Sequence, residues 1–119
     1  MNIEEFRDFC LQLPGTSECF PFDEHTLVFK VMDKVYALTK LNTEDFRVNL
    51  KCEPSYALEL RDLYSDIQPG YHMNKKHWNT VSFAGGIPDK VLKTLIEHSY
   101  KEVEKKLTKK QRSDLQNFG

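Results

Sequence analysis

One segment of this chain concentrates the side chains that could bind or react. Between Pro69 and Asn79 lie two histidines, two lysines, two asparagines and the chain's only tryptophan. The segment is too polar for a core element and too aromatic for an ordinary connection, and loops of that kind commonly carry a binding site. Lysines pair with phosphates, histidine and asparagine bond to phosphates or base edges, and aromatic rings stack on bases. The segment therefore predicts a nucleic-acid-binding surface.

A neighbouring strand is expected to extend this surface. Residues alternate from Phe46 to Lys51, which predicts a strand that turns Arg47 and Lys51 away from the core. The candidate nucleic-acid contacts are His72, Asn74, Lys75, Lys76, His77, Arg47 and Lys51. Purely structural roles stay open for the same residues, since paired lysines are often only solvated and asparagines often make turns. For Trp78 taken alone, a place in the core is the favoured expectation.

Three other kinds of site compete with this interpretation. The main alternative is a protein-binding surface with Tyr71 and Trp78 as its aromatic anchor. A metal site is disfavoured, because two histidines five residues apart without an attached cysteine fall short of a zinc ligand set. Catalysis would need Cys52 as nucleophile with one of the histidines as base, yet no glycine-rich phosphate loop, Gly-x-Ser-x-Gly elbow or His-Glu-x-x-His pattern is present. We expect neither an enzyme nor a cofactor.

Length and charge limit the partners further. The chain has 119 residues, 29% of them charged, and a formal net charge of −1. That length predicts one domain over residues 1–119, and the charge means that any DNA contact must come from a local basic patch. No apolar run is long enough for a membrane span, and the acidic start lacks the features of a secretion signal. We expect a cytoplasmic monomer with no membrane contact.

Hydrophobic periodicity and capping signals predict the elements that would position this loop. Asn2 with Glu5, and Thr108 with Gln111, are capping-box pairs at the starts of a first and a last helix. Strands are expected over 27–32, 35–39, 46–51, 66–68 and 79–83, and helices over 2–13, 54–64, 88–107 and 109–117. The order α-β-β-β-α-β-β-α with a short terminal helix predicts an α+β two-layer sandwich, an antiparallel sheet with helices on one face.

Several motifs also carry a family resemblance. Pro14-Gly15, Pro21-Phe22, the run from Val28 to Val31, the run from Val48 to Pro54 and above all Pro69 to Asn79 are similar to those of the MmcQ/YjbR family. The resemblance implies a frataxin-like or "double-wing" α+β fold and a role in DNA binding. It also brings in a weaker metal-binding alternative, because the acidic first helix resembles the ridge by which frataxins bind iron.

Overall fold

A computed structural model describes residues 1–117. It contains six strands and four helices. The strands are β1 (Thr16–Cys19), β2 (Thr26–Val31), β3 (Lys34–Lys40), β4 (Arg47–Lys51), β5 (Ile67–Pro69) and β6 (Trp78–Ser82), and the helices are α1 (Ile3–Gln12), α2 (Pro54–Leu63), α3 (Asp89–Glu104) and α4 (Lys109–Gln116).

All six strands form one antiparallel sheet in the order β1-β2-β3-β4-β6-β5. Strand β6 lies between β4 and β5, so the hairpin that joins β5 to β6 carries the polar and aromatic loop at one end of the sheet. Of the residues described, no helix is long and apolar enough to cross a membrane.

Helices cover one face of the sheet and build a single core there. Val48 and Leu50 from β4 meet Leu92 and Ile96 from α3 in one buried cluster. At its other end, Phe6 of α1 makes edge-to-face ring contacts that are favourable for aromatic pairs. Its partners are Phe29, Phe46 and Phe83. The expected α+β architecture, with an antiparallel sheet and helices on one face, is confirmed.

The helix starts follow the capping signals. Asn2 accepts from the Glu5 backbone at 2.8 Å while Glu5 accepts from the Asn2 backbone at 3.1 Å, and the same reciprocal pair forms between Thr108 and Gln111. Pro54 opens α2, where its missing N–H is not needed.

Three details differ from expectation. Strand β1 was missed, because Thr16–Cys19 has no clear alternation and pairs with β2 only as an edge strand. The β2–β3 turn lies one residue earlier than Asp33-Lys34, at Met32 and Asp33, which both have positive φ as a type I′ turn requires. Helix α3 ends at Glu104 rather than 107, and Leu107 is buried just beyond it.

Candidate functional site

The helix-free face of the sheet carries a groove. Because side chains alternate along a strand, the residues between the core positions of β4 and β6 point to this face. Leu38 of β3, Asn49 of β4 and Thr80 of β6 lie side by side across three neighbouring strands and form the floor. Two residues farther along, Trp78 of β6 is paired with Lys51 of β4 in the strand register.

The groove has a volume of about 540 Å³. Its lining combines an apolar and aromatic set with a polar set. The apolar residues are Phe22, Val35, Leu38, Tyr71, Met73 and Trp78, and the polar residues are Lys40, Thr43, Asp45, Arg47, Asn49, His72 and Thr80.

Two loops raise aromatic rings at its rim. Phe22 in the β1–β2 loop is 69% exposed and Tyr71 in the β5–β6 loop is 66% exposed. His72 has a φ of 57°, and its ring centroid lies 4.0 Å from that of Tyr71. These exposed rings beside the groove offer flat surfaces for a planar ligand.

Trp78 belongs to this surface. It is half-buried in the groove wall and has no part in the hydrophobic core. The expectation that Trp78 is a core anchor is therefore wrong. Its place at the start of β6 turns it to the face opposite Asn79, which is buried.

Positive charge in the groove lining comes from Arg47 and Lys40. Arg47 Nη2 lies 3.3 Å from Asp45 Oδ2, and both side chains are mostly exposed, so this pair holds the arginine only weakly.

Lys51 lies outside the groove lining. It borders a small cavity on the helical side that His98 of α3 also lines. Burial lowers the pKa of Lys51, and the charges of Lys106 and Lys34 lower it further, against the opposing charge of Glu102.

A line of hydrogen bonds crosses the floor. The Tyr71 backbone N–H donates to Thr80 Oγ1 at 2.9 Å, and the Thr80 hydroxyl donates to Asn49 Oδ1. This line ties the rim loop to the sheet, with Asn49 Oδ1 as its last acceptor.

The polar loop between β5 and β6 is held in shape by its own side chains. Lys75 Nζ donates to the Gly70 carbonyl at 2.9 Å, and Asn74 Oδ1 accepts from the Lys76 backbone at 3.0 Å. Gly70 leaves no room for a side chain, since an added Cβ would lie 2.8 Å from the Trp78 Cβ. Lys75 and Asn74 therefore have contacts that shape the loop.

Arg61 anchors this loop from the helical layer. From α2 its Nε donates to Asn79 Oδ1 at 2.7 Å, and its guanidinium also donates to the carbonyls of Lys75 and Trp78. All three acceptors are neutral amide oxygens. Sequence reasoning missed Arg61, because an arginine in an amphipathic helix looks solvated until the sheet is placed beneath it.

The structure divides the candidate contacts into two groups. Arg47 and His72 line the groove, whereas Lys51 is outside its lining and borders the helical side of the sheet. Asn74, Lys75, Lys76 and His77 lie farther along the loop and are not part of its lining.

The alternative chemistries find little support in the described part of the chain. Within residues 1–117, no three histidine, cysteine, aspartate or glutamate side chains group as a metal ion would need. Burial raises the pKa of Cys52 to about 12, which keeps that thiol protonated and is the opposite of an activated nucleophile.

Comparison with known proteins places the chain in a family. The YjbR family model matches residues 11–102. The chain is 34% identical to Escherichia coli K12 YjbR over 102 residues, 86% of each protein, and 37% identical to E. coli O157:H7 YbdF over 108 residues, 90% of this chain and 88% of that protein.

Solved structures of two other proteins have a similar fold. A crystal structure of Deinococcus radiodurans protein DR2400 matches 96% of this chain and 87% of its own with a TM-score of 0.90 at 42% identity. A Pseudomonas syringae protein matches 86% of this chain and 98% of its own with a TM-score of 0.74 at 31% identity. None of these names states an activity. The chain belongs to the YjbR family.

Proposed function

We propose that this protein binds single-stranded nucleic acid, DNA in the first instance, in the groove on the helix-free face of its sheet, without catalysis. The observation that carries the proposal is the union of three aromatic rings with cationic side chains around one groove. Phe22, Tyr71 and Trp78 supply stacking surfaces, and Arg47 lies beside them. Proteins that bind single strands combine aromatic platforms with a positively charged path for the backbone.

The shape of the groove favours unpaired bases over a duplex. Duplex bases are read through their edges, by a helix or ribbon that enters a DNA groove. Here the site is a concavity of about 540 Å³ with apolar walls, a size typical of pockets that enclose flat ligands. A base turned out of its stack fits such a site, whereas a base pair inside a duplex does not reach it.

The charges suit a short contact with the backbone. The chain's net charge of −1 gives no general attraction to nucleic acid. We expect Arg47 and Lys40 of the groove lining to pair with phosphates beside a bound base. With about two phosphates neutralised, log affinity should fall with log salt at a slope of about −1.4.

The test compares a short oligothymidine with a blunt duplex of equal length by fluorescence anisotropy. We expect the single strand to bind more tightly, and the Trp78→Leu variant to lose that affinity because the stacking ring is gone. Leu58→Ala is the matched control, since Leu58 is 61% exposed on α2 and lies outside the groove lining. Tighter binding of the duplex, or unchanged affinity in Trp78→Leu, would refute the proposal.

A further inference from the structure

Asn49 has an unusual place in the groove. It is the amide side chain of the floor, flanked by Leu38 and Thr80 on the neighbouring strands. A primary amide ordinarily offers both an acceptor oxygen and a donor nitrogen, so it could read two adjacent groups on a base edge. In the floor of the groove, a neighbouring side chain already engages the amide oxygen.

The placement of the Asn49 amide sets the direction of the hydrogen bonds in the floor. The Tyr71 N–H donates to Thr80 Oγ1 at 2.9 Å. Asn49 turns its Oδ1 toward the Thr80 hydroxyl, and because an amide oxygen can only accept, the hydroxyl donates to it. Asn49 Oδ1 is therefore engaged by Thr80, and Nδ2 is the amide atom left to donate.

That nitrogen is accessible from the groove. Among residues 1–117 it makes no hydrogen bond to another protein group, yet no side-chain nitrogen or oxygen there is both buried and unpartnered. Asn49 Nδ2 is therefore not fully buried. The carboxylate of the groove, Asp45, belongs to the exposed rim beside Arg47 and not to the floor, since its side chain is 71% exposed.

We propose that Asn49 makes the groove select a pyrimidine with a keto oxygen at C4, thymine or uracil, over cytosine, which has an amino group there. The inference rests on the single-strand binding proposed above. Thymine O4 accepts a hydrogen bond where cytosine N4 presents a donor. Facing Asn49 Nδ2 in this groove, the cytosine amino group meets another donor, and a polar group buried without a partner weakens binding.

The same geometry disfavours adenine. Asparagine pairs with adenine by donating to N7 and accepting from the N6 amino group. Here the oxygen that would accept is held by Thr80. Stacking area alone favours the larger purine ring, so a preference for thymine cannot arise from the rings of the groove and must come from its hydrogen bonding.

The experiment measures dissociation constants for oligothymidine and oligodeoxycytidine of equal length, whose rings have the same size. We expect thymidine to bind about tenfold more tightly, within the discrimination that a good base contact gives. Asn49→Ala should bring the two affinities together while stacking persists. Asn42→Ala, an exposed asparagine outside the groove lining, should leave the ratio unchanged.

A second variant changes the hydrogen bonding of Asn49 Oδ1. Thr80→Val removes the hydroxyl that donates to Asn49 Oδ1, so the amide regains an acceptor and the cytidine oligomer should gain affinity. Equal affinities in the parent protein, or a thymidine preference that survives in Asn49→Ala, would overturn the inference and leave single-strand binding standing. If neither oligomer binds, both proposals fail.

Discussion

The two faces of the sheet use the same strands for different purposes. On the covered face, Val48, Leu50 and Val81 are almost fully buried against the helices. On the helix-free face, the residues that alternate with the core positions of β4 and β6 include Asn49, Thr80 and Trp78, which line a groove. One face thus stabilises the fold while the other keeps rings and donors accessible, so substitutions on the two faces should separate stability from binding.

The largest effect is expected from replacing a ring on each face. Phe6→Ala removes a buried ring that contacts three other rings and should lower the free energy of unfolding by about 3–5 kcal/mol. Trp78→Ala removes a half-buried groove ring and should cost only about 1 kcal/mol. Urea unfolding of both variants checks the contrast. Equal losses would mean that Trp78 serves the core as Phe6 does.

Two arginines sharpen the contrast between holding the groove and contacting a ligand. Arg61→Met deletes the hydrogen bonds that tie the loop to α2 and should destabilise the protein by about 2 kcal/mol, since bonds to a charged group are strong and Asn79 loses its partner. Arg47→Met removes only an exposed pair with Asp45 and should leave stability almost unchanged.

Hydrogen exchange of the backbone amides shows which region of the protein is destabilised in each variant. In Arg61→Met the amides of residues 70–78 should exchange faster, while those of α3 keep their protection. In Arg47→Met neither region should change. Uniformly faster exchange in Arg61→Met would show that this arginine supports the whole fold instead of one wall of the groove.

A smaller effect should follow acidification, through a histidine on the helical side. His98 Nε2 accepts from the Glu53 backbone N–H at 3.1 Å, so it must be neutral. Burial lowers its pKa, as does Lys105, while Glu102 and Glu53 oppose the shift. As pH falls below about 6.5 the unfolded chain binds a proton that the folded protein resists, and stability falls until the lowered pKa is passed.

The measurement is the urea midpoint between about pH 7.5 and 5.5, compared with His98→Gln. Glutamine offers an acceptor but does not titrate, so the variant should lose less stability over this range than the parent. All other ionisable groups are the same in both proteins, so the difference between the two profiles reports on residue 98. Identical pH profiles would rule out His98 as the titrating group.

The smallest effect is expected in the reactivity of the cysteine thiols, which reports whether the helices stay packed on the covered face of the sheet. Burial raises the pKa of Cys10 and of Cys52 to about 12, whereas Cys19 on the edge strand β1 is half-exposed. A thiol reagent at neutral pH should therefore modify Cys19 quickly in the native protein and the other two only after unfolding. Fast reaction of Cys52 would show that the helical layer opens beside the loop.

Sequence reasoning recovered the fold because its signals are local. The capping pairs at Asn2 and Thr108 and the apolar stripe of α3 each act within one element, and the structure confirms them. Strand β1 escaped detection, because four residues paired on one edge leave too short a pattern.

The groove could be predicted only in part. The loop residue His72 and the strand residue Arg47 were singled out by composition and alternation, and both line the groove. Leu38 and Asn49 come from separate segments that the strand register brings together, and the β1–β2 loop adds Phe22. Arg61 and the hydrogen-bond line through Thr80 depend on three-dimensional placement that no local pattern encodes.

We expect bases to stack in the groove on the helix-free face. The chain's only tryptophan lies in the wall of that groove. Titration of the protein with oligothymidine, followed by Trp78 fluorescence, tests this stacking most directly. We expect saturable quenching with the same dissociation constant that anisotropy gives, because a stacked base contacts the indole. Binding seen by anisotropy with no change in Trp78 fluorescence, or no binding at all, would show that bases do not stack on Trp78 in the groove.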